Sequence, residues 1–442
     1  MWRSKSTNLP LLIAATLCVL SAFAFLRNDN IKKYSAQYVD GVRNQWHEGI
    51  RPWLKDGAGE PAHEDCKDPY RGPGYLYMPD DYRQTRWIPF GEDFLAAPAL
   101  PAATYPPAND ADVYFEPSRV EPQFTQSAPR QWMNDVLAEH QRRRMSVDAN
   151  DGDLQHYHYV SKKDDGGMGW LWGRRVLVLG DSVDHFMAQF FCEEFGYRIR
   201  QPRPRTTATC EIPTFNLTLI YWHLSGSYTS TPSWWWMKDM KFVPFEERWE
   251  KLWKKTLGTH VRGLNGRSPD LLLWQSGLWD QRAMIENGMA HANVSYGAHV
   301  GEQERQLVWE EVRFITTRLR KLLSMLRDEF GNTPSMFRTV TIHRNSNATD
   351  ANLLEIDRVQ RALAQQAGQE IFEWGRIIQA FSMLYKDRTH TAKGAGSWLW
   401  SNMMLEYLRR SAGAGAAEGD KRDHYFDGWD ACHERLVSWD GR

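Results

Sequence analysis

The chain reads as an α/β protein, a three-layer α/β/α sandwich around a central parallel sheet, and three observations carry that expectation. Short, wholly apolar runs such as Val176-Leu177-Val178-Leu179 recur in the second half of the chain, as strands covered on both faces require. Segments with apolar residues at helical spacing lie between them, such as Val183 to Phe195 with its face at 183, 186, 187, 190 and 191. The two kinds of segment alternate, so each strand is followed by a long helix that crosses back over the sheet.

Length and composition allow such a core. The 442 residues are 42% hydrophobic and 25% charged, which suits one main globular domain with appendages. A formal net charge of -1 supplies no field that would draw a phosphate backbone, which argues against nucleic acid as a partner.

The first element is an uncharged stretch from Leu9 to Leu26, preceded by Arg3 and Lys5 and long enough to span a bilayer. Residues 1–30 are therefore expected to form a cytoplasmic tip and a transmembrane signal anchor. Ala22-Phe23-Ala24 resembles a cleavage site, so a removed signal peptide is the rival reading; the apolar run is longer than such peptides usually carry. Either way the remainder is expected in the secretory lumen or outside the cell. Sequons at Asn216, Asn293 and Asn347 agree with that address and suggest a glycoprotein. Setting Cys18 aside leaves Cys66, Cys192, Cys210 and Cys432, enough for two disulfides in any of three connectivities. Cys192 with Cys210 would close a short loop, and Cys66 with Cys432 would join the ends. The sequence does not choose.

Residues 31–169 are irregular, with Pro-rich stretches between Pro89 and Pro129 and one clear helix, Gln131 to Met145; they read as a stem and wrapping region. Asn150 to Gly169 is polar and Gly/Asp-rich and reads as a loop. Residues 170–412 hold the regular domain. After Val176 to Leu179, strands are expected at Leu217 to Trp222, Asp270 to Trp274, Arg338 to Ile342 and Glu370 to Phe372. Helices are expected near Phe245 to Leu257, Glu302 to Phe330, Asp350 to Gln366, Arg376 to Tyr385 and Gly396 to Arg410. A Gly/Ala linker leads into a polar tail, residues 413–442.

Chemistry enters at the end of the first strand. Gly180-Asp181-Ser182 would place a hydroxyl at the mouth of a helix, where N–H groups and the helix dipole favour developing negative charge. A base must come from elsewhere. Asp387-Arg388-Thr389-His390 has a carboxylate spaced to hold one ring nitrogen while the other faces the serine. Asp153 with His156 and Asp430 with His433 share that spacing, but 387 to 390 alone follows a plausible last strand and helix and leads into a terminal amphipathic helix, so it should return to the edge of the sheet that bears Ser182. His156 and His158 lack further ligands at recognisable spacing, and no metal or other cofactor is expected. Trp234-Trp235-Trp236, among 21 tryptophans, would either stack on sugar rings or fill a loop.

Gly180-Asp181-Ser182 with Asp387-x-x-His390 resembles the SGNH (GDSL-like) hydrolase superfamily. Asn216 to Trp222 and Asp270 to Trp279 resemble two further blocks of its PC-esterase group, which includes plant trichome-birefringence-like and fungal capsule O-acetylation proteins. The likeness runs in order from Leu177 to Leu408. It implies a flavodoxin-like SGNH fold and ester chemistry, often on acetyl groups of polysaccharides, with Ser182 as nucleophile, His390 as base and Asp387 orienting it. It also implies oxyanion or substrate contacts from Gly180, Asp181, Gly226, Gln275 and Gly277. Gln275 stands where the group usually has Asn, and His185 stands where plant members carry Arg; its imidazole would lie near the site or pack as a helix residue. The function so implied is an O-acyl, chiefly O-acetyl, transferase on glycan hydroxyls in the Golgi or secretory pathway, with a single-pass type II anchor. Its partners would be a glycan acceptor, an acyl donor and the membrane. A carbohydrate esterase and an inactive glycan-binding protein are the alternatives.

Overall fold

The computed structural model describes residues 68–89, 129–146, 153–162, 167–201, 205–228, 244–255, 268–292, 305–331, 333–344 and 350–414. The chain divides into two compact units, Met1–His63 and Glu64–Arg442, and the described residues all belong to the second. The expected anchor, Cys18, Cys66, Cys432, Asn293, Asn347, Trp234 to Trp236, Asp430, His433 and most of the tail lie outside the described residues. Among the described residues no helix is long and apolar enough to cross a membrane.

The second unit is built on a six-stranded sheet. In chain order its strands are β3 (Arg175–Gly180), β4 (Thr207–Ile212), β5 (Leu217–His223), β6 (Leu271–Trp274), β7 (Ser335–Arg338) and β8 (Glu370–Phe372); β1 (Gly74–Tyr77) and β2 (Arg86–Pro89) form a separate antiparallel hairpin. The order across the sheet is β4-β5-β3-β6-β7-β8, with β4 antiparallel and every other pairing parallel. Ranked by chain position, the five parallel strands run 2-1-3-4-5, the flavodoxin-like doubly wound order. The order reverses between β3 and β6, and it is beyond the carboxyl ends of the strands at such a reversal that doubly wound sheets place their sites.

The helices are α1 (Trp132–Met145), α2 (Asp153–Lys162), α3 (Ser182–Glu194), α4 (Phe245–Arg248), α5 (Leu278–Ala292), α6 (Trp309–Phe330), α7 (Ala351–Gln366), α8 (Trp374–Ile378) and α9 (Ala395–Ala414). Alternation along β3 sorts them into layers. Val176 and Val178 face a core shared with α1, α3 and α9, while Leu177 and Leu179 face one shared with α4, α6 and α7. On α6, Ile315, Leu319, Leu322, Leu326 and Phe330 are buried at helical spacing, so its Arg and Glu residues are left largely on the outer face. Burial of each such side chain contributes roughly 2 kcal/mol.

Several boundaries depart from the sequence reading. The strand expected at Arg338 to Ile342 lies earlier, at β7, because the N–H of Val340 goes to the carboxylate of Asp357 (2.7 Å) and the chain leaves the ladder. The helix expected from Arg376 to Tyr385 stops at Ile378, and Tyr385 instead bridges to Thr391 in extended conformation. The helix expected from Glu302 starts at Trp309, where Glu311 accepts from the N–H of Val308 (3.0 Å). Residues 150–169, expected as a loop, contain α2. The stem region also contributes to the core: Tyr70, Trp87, Trp132, Met133 and Val136 all pack into the α3/α9 layer.

Candidate active site

Ser182 is the first residue of α3, immediately beyond the carboxyl end of β3 and beside the point where the strand order reverses. Asp181 caps this helix, its carboxylate accepting from the N–H of Val183 (2.9 Å). Asp181 thus serves the backbone of the turn. Its carbonyl accepts from the hydroxyl of Tyr221 (2.8 Å), whose oxygen lies 2.8 Å from Nδ1 of His223, so β5 buttresses the turn from below.

Gly180 is needed for space rather than for a left-handed backbone. A Cβ there would run into the carboxylate of Asp184, which folds back over residue 180 from the first turn of α3.

The loop between Tyr385 and Thr391 brings Asp387 and His390 to this edge. It is pinned by hydrogen bonds from Lys386 N–H to His390 O (2.9 Å), Ala392 N–H to Leu384 O (2.7 Å) and Arg344 N–H to Arg388 O (2.7 Å). Ser182 Oγ lies 2.7 Å from His390 Nε2, and His390 Nδ1 lies 2.9 and 3.0 Å from the two oxygens of Asp387. With Nδ1–H donating to the carboxylate, Nε2 is the acceptor for the serine hydroxyl. The backbone N–H groups of Thr389 and His390 each donate to Asp387 Oδ1 (2.8 Å). Burial opposes the charge of Asp387, but these N–H groups and the ring of His390 outweigh it and hold the carboxyl below its ordinary range. Phe186 meets the His390 ring edge-on at 5.0 Å, and the ammonium of Lys386 sits 3.1 Å over the face of Phe186.

The remaining site residues divide. Gly226 follows β5 with φ +88°, where a side chain is strained, and Asp280 lies against it. The next residue, Ser227, donates its N–H and its hydroxyl to buried Asp280 (2.6 and 2.7 Å), and Ser276 Oγ bonds the other carboxylate oxygen. Asp280 therefore ties the loop after β5 to the loop after β6. A Cβ on Gly277 would lie 2.6 Å from Val340, so glycine is needed for close packing there. Gln275 follows β6, with its N–H on Leu179 O (3.0 Å), but its Nε2 donates to Asp184 Oδ2 (2.9 Å). One of the two amide N–H groups of Gln275, the residue expected as an oxyanion donor, thus already has an acceptor.

His185 is not joined to Ser182 or His390. Its ring packs edge-on against Tyr221 (5.1 Å), and burial, aided by the charge of Lys386 and opposed by Gln201, lowers its pKa. The helix turn directs the ring toward β5, so the packing reading of His185 replaces the site reading. His158 stacks on Trp172, and His156 pairs with Ser146.

Sequence reasoning passed over Asp184 and Arg338. Both are 1% exposed, and the guanidinium grips the carboxylate through Nε (2.8 Å) and Nη2 (2.6 Å). An acidic residue on the buried face of α3 was the available signal. Cys192 and Cys210 form a disulfide, with Cα atoms 5.6 Å apart. Asn216 is partly buried at a left-handed turn before β5, and Arg175 approaches its side-chain oxygen (3.4 Å).

No family model matches the chain, and no curated protein sequence matches it. Among solved structures, an acetylxylan esterase from Geobacillus stearothermophilus aligns at 12% identity and TM-score 0.31, over 54% of this chain and 94% of that one. A structure described as a GDSL-like lipase from Parabacteroides merdae aligns at 14% identity and TM-score 0.32, over 55% and 96%. At these scores the alignments carry no weight, and fold and chemistry rest on the strand order and the hydrogen-bonded side chains.

Proposed function

We propose that this chain is a serine enzyme of O-acyl ester chemistry on glycans, working through an acyl-Ser182 intermediate. The observation that carries the reading is the continuous hydrogen-bond chain from Ser182 Oγ through His390 to Asp387 at the topological switch point. Ser182 Oγ attacks the acyl carbonyl as its proton passes to His390 Nε2. The leaving alkoxide takes that proton, and the acyl group stays on the serine. A second hydroxyl, activated by the same imidazole, then attacks the acyl-serine and releases the enzyme. Asp387 holds the ring and stabilises the imidazolium. First-turn N–H groups of a helix have no partner within it, and that of Val183 is taken by Asp181, which leaves the N–H of Ser182 to serve as an oxyanion donor.

The acceptor decides between two activities. The side chains of His390 and Asp387 are 25% and 50% exposed, and open access for water favours hydrolysis, that is, a carbohydrate O-acyl esterase. The resemblance of Asn216 to Trp222 and Asp270 to Trp279 to PC-esterase blocks favours transfer to a sugar hydroxyl, in a membrane-anchored enzyme of the secretory pathway. Mass analysis of an O-acetylated glycan and of an unmodified glycan with an acetyl donor separates them: loss of acetyl from the first supports hydrolysis, gain on the second supports transfer. Ser182→Ala should abolish either change while leaving the folded spectrum intact. Unchanged turnover in Ser182→Ala would overturn the assignment.

A further inference from the structure

The buried ion pair of Asp184 and Arg338 has no part in the proton path, yet it stands directly behind the nucleophile. Asp184 lies two residues after Ser182 in the first turn of α3; Arg338 ends β7; Gln275 follows β6. One carboxylate therefore joins three elements. Its Oδ1 takes Arg338 Nε, and its Oδ2 takes both Arg338 Nη2 (2.6 Å) and Gln275 Nε2 (2.9 Å). A second anchor holds the guanidinium, Nη1 donating to Thr339 O (2.9 Å), and the guanidinium lies 5.6 Å from the Trp374 ring. Burial disfavours the charge on Arg338, but Asp184 more than offsets this and keeps it protonated.

Gln275 is fixed by this carboxylate. Its Oε1 is buried with no hydrogen-bond partner, so the contact with Asp184 is what sets which way the amide faces. A primary amide has two N–H groups; Asp184 takes one and leaves the other. Were the carboxylate absent, the amide would be free to turn its oxygen toward the developing oxyanion, which repels rather than stabilises.

We infer that Asp184, locked by Arg338, is a positioning residue that aligns Ser182 through the first turn of α3 and orients the Gln275 amide as an oxyanion donor. This rests on the acyl-serine reading above. It goes beyond that reading in assigning the buried pair a kinetic role and in making Gln275 act through Asp184.

The experiment is a comparison of Ser182 labelling rates with a fluorophosphonate and of kcat and KM for 4-nitrophenyl acetate. Asp184→Asn alone would strand the buried guanidinium and threatens folding, so the main variant is Asp184→Leu with Arg338→Met, which removes both charges at similar volume and is tolerated at many buried pairs. In that variant the thermal transition stays cooperative, while the labelling rate and kcat fall on the order of 10²-fold with KM little changed. Gln275→Leu should show a loss of the same size, and adding it to the double variant should cost nothing further, because the residues act as one unit. A folded double variant labelled at the wild-type rate overturns the inference, as do losses that multiply when the changes are combined. A double variant that fails to fold overturns the kinetic role if Gln275→Leu also labels at the wild-type rate, and supports it if that single change alone shows the loss. Wild-type protein that takes no label at Ser182 overturns the acyl-serine reading itself, and this inference with it.

Discussion

Asp387 serves His390 twice through one carboxylate. It accepts Nδ1–H, which selects the tautomer, and it accepts the backbone N–H groups of residues 389 and 390, which hold its own orientation. Because those donors keep the carboxyl below its ordinary range, its charge persists at pH values where a free aspartate would be half protonated. Asp387→Asn replaces one acceptor oxygen by a donor and favours the tautomer with a proton on Nε2, where the serine proton must go. Steady-state kinetics on 4-nitrophenyl acetate should show kcat reduced by about 10²- to 10⁴-fold with KM nearly constant, since the lost interaction acts in the transition state. A kcat within about twofold of wild type would remove Asp387 from the mechanism.

α3 is the element on which the site depends, and it is held at both ends. At its start, Asp181 caps the helix and Asp184 ties it to β6 and β7; near its end, Cys192 is bonded to Cys210 of β4. Cys192 is ten residues beyond Ser182, about 15 Å along the helix axis. The cross-link spans 18 residues, and closing a loop of that size in the unfolded chain stabilises the fold by about 3 kcal/mol. Chemical denaturation of the Cys192→Ala, Cys210→Ala double variant should show a loss of that order with labelling of Ser182 retained. Equal denaturation midpoints for variant and wild type would show that the bond does not hold the folded state.

The second unit is closed by a charge cluster just beyond the carboxyl end of β8, the end of the parallel strands that also bears Ser182. Buried Glu373 receives Arg361 (2.6 Å), Arg376 (2.9 Å) and Arg71 (3.5 Å), and Arg376 also donates to Tyr70 O (3.0 Å), which draws residues 68–72 into the core. Burial alone would raise the Glu373 carboxyl, but Arg361, Arg376 and Arg71 lower it to about 2. A depressed carboxyl contributes stability that is fully present above its unfolded value of 4.5 and is lost as pH falls toward about 2. That contribution is about 3 kcal/mol. Glu373→Gln should therefore destabilise the protein at neutral pH by at least that order and flatten the fall in stability below pH 4.5, measured by urea denaturation across the acid range. A variant with the wild-type acid slope would show that other carboxylates carry it. At this scale the legible and the hidden parts of the molecule separate by range. Apolar runs at Val176 to Leu179 and Leu217 to Trp222 disclosed the parallel core, because a strand covered on both faces needs no partner to be recognised. β4 was not legible, since Thr207-Ala208-Thr209-Cys210 alternates as an edge strand does and carries no continuous apolar signal. The sequence by itself determined the α/β class and the serine after the first strand, because each is written in contiguous residues; the Asp-x-x-His spacing recurs at 153 to 156 and 430 to 433, so the expected order of elements was needed to favour 387 to 390, and the folded chain to bring His390 to Ser182. Tertiary structure alone decided the strand order, the disulfide pairing, the packing of His185 against Tyr221 and the grip of Arg338 on Asp184, 154 residues apart. Those depend on which distant side chains share a buried volume, and the free energy of such a contact exists only once the chain has closed around it.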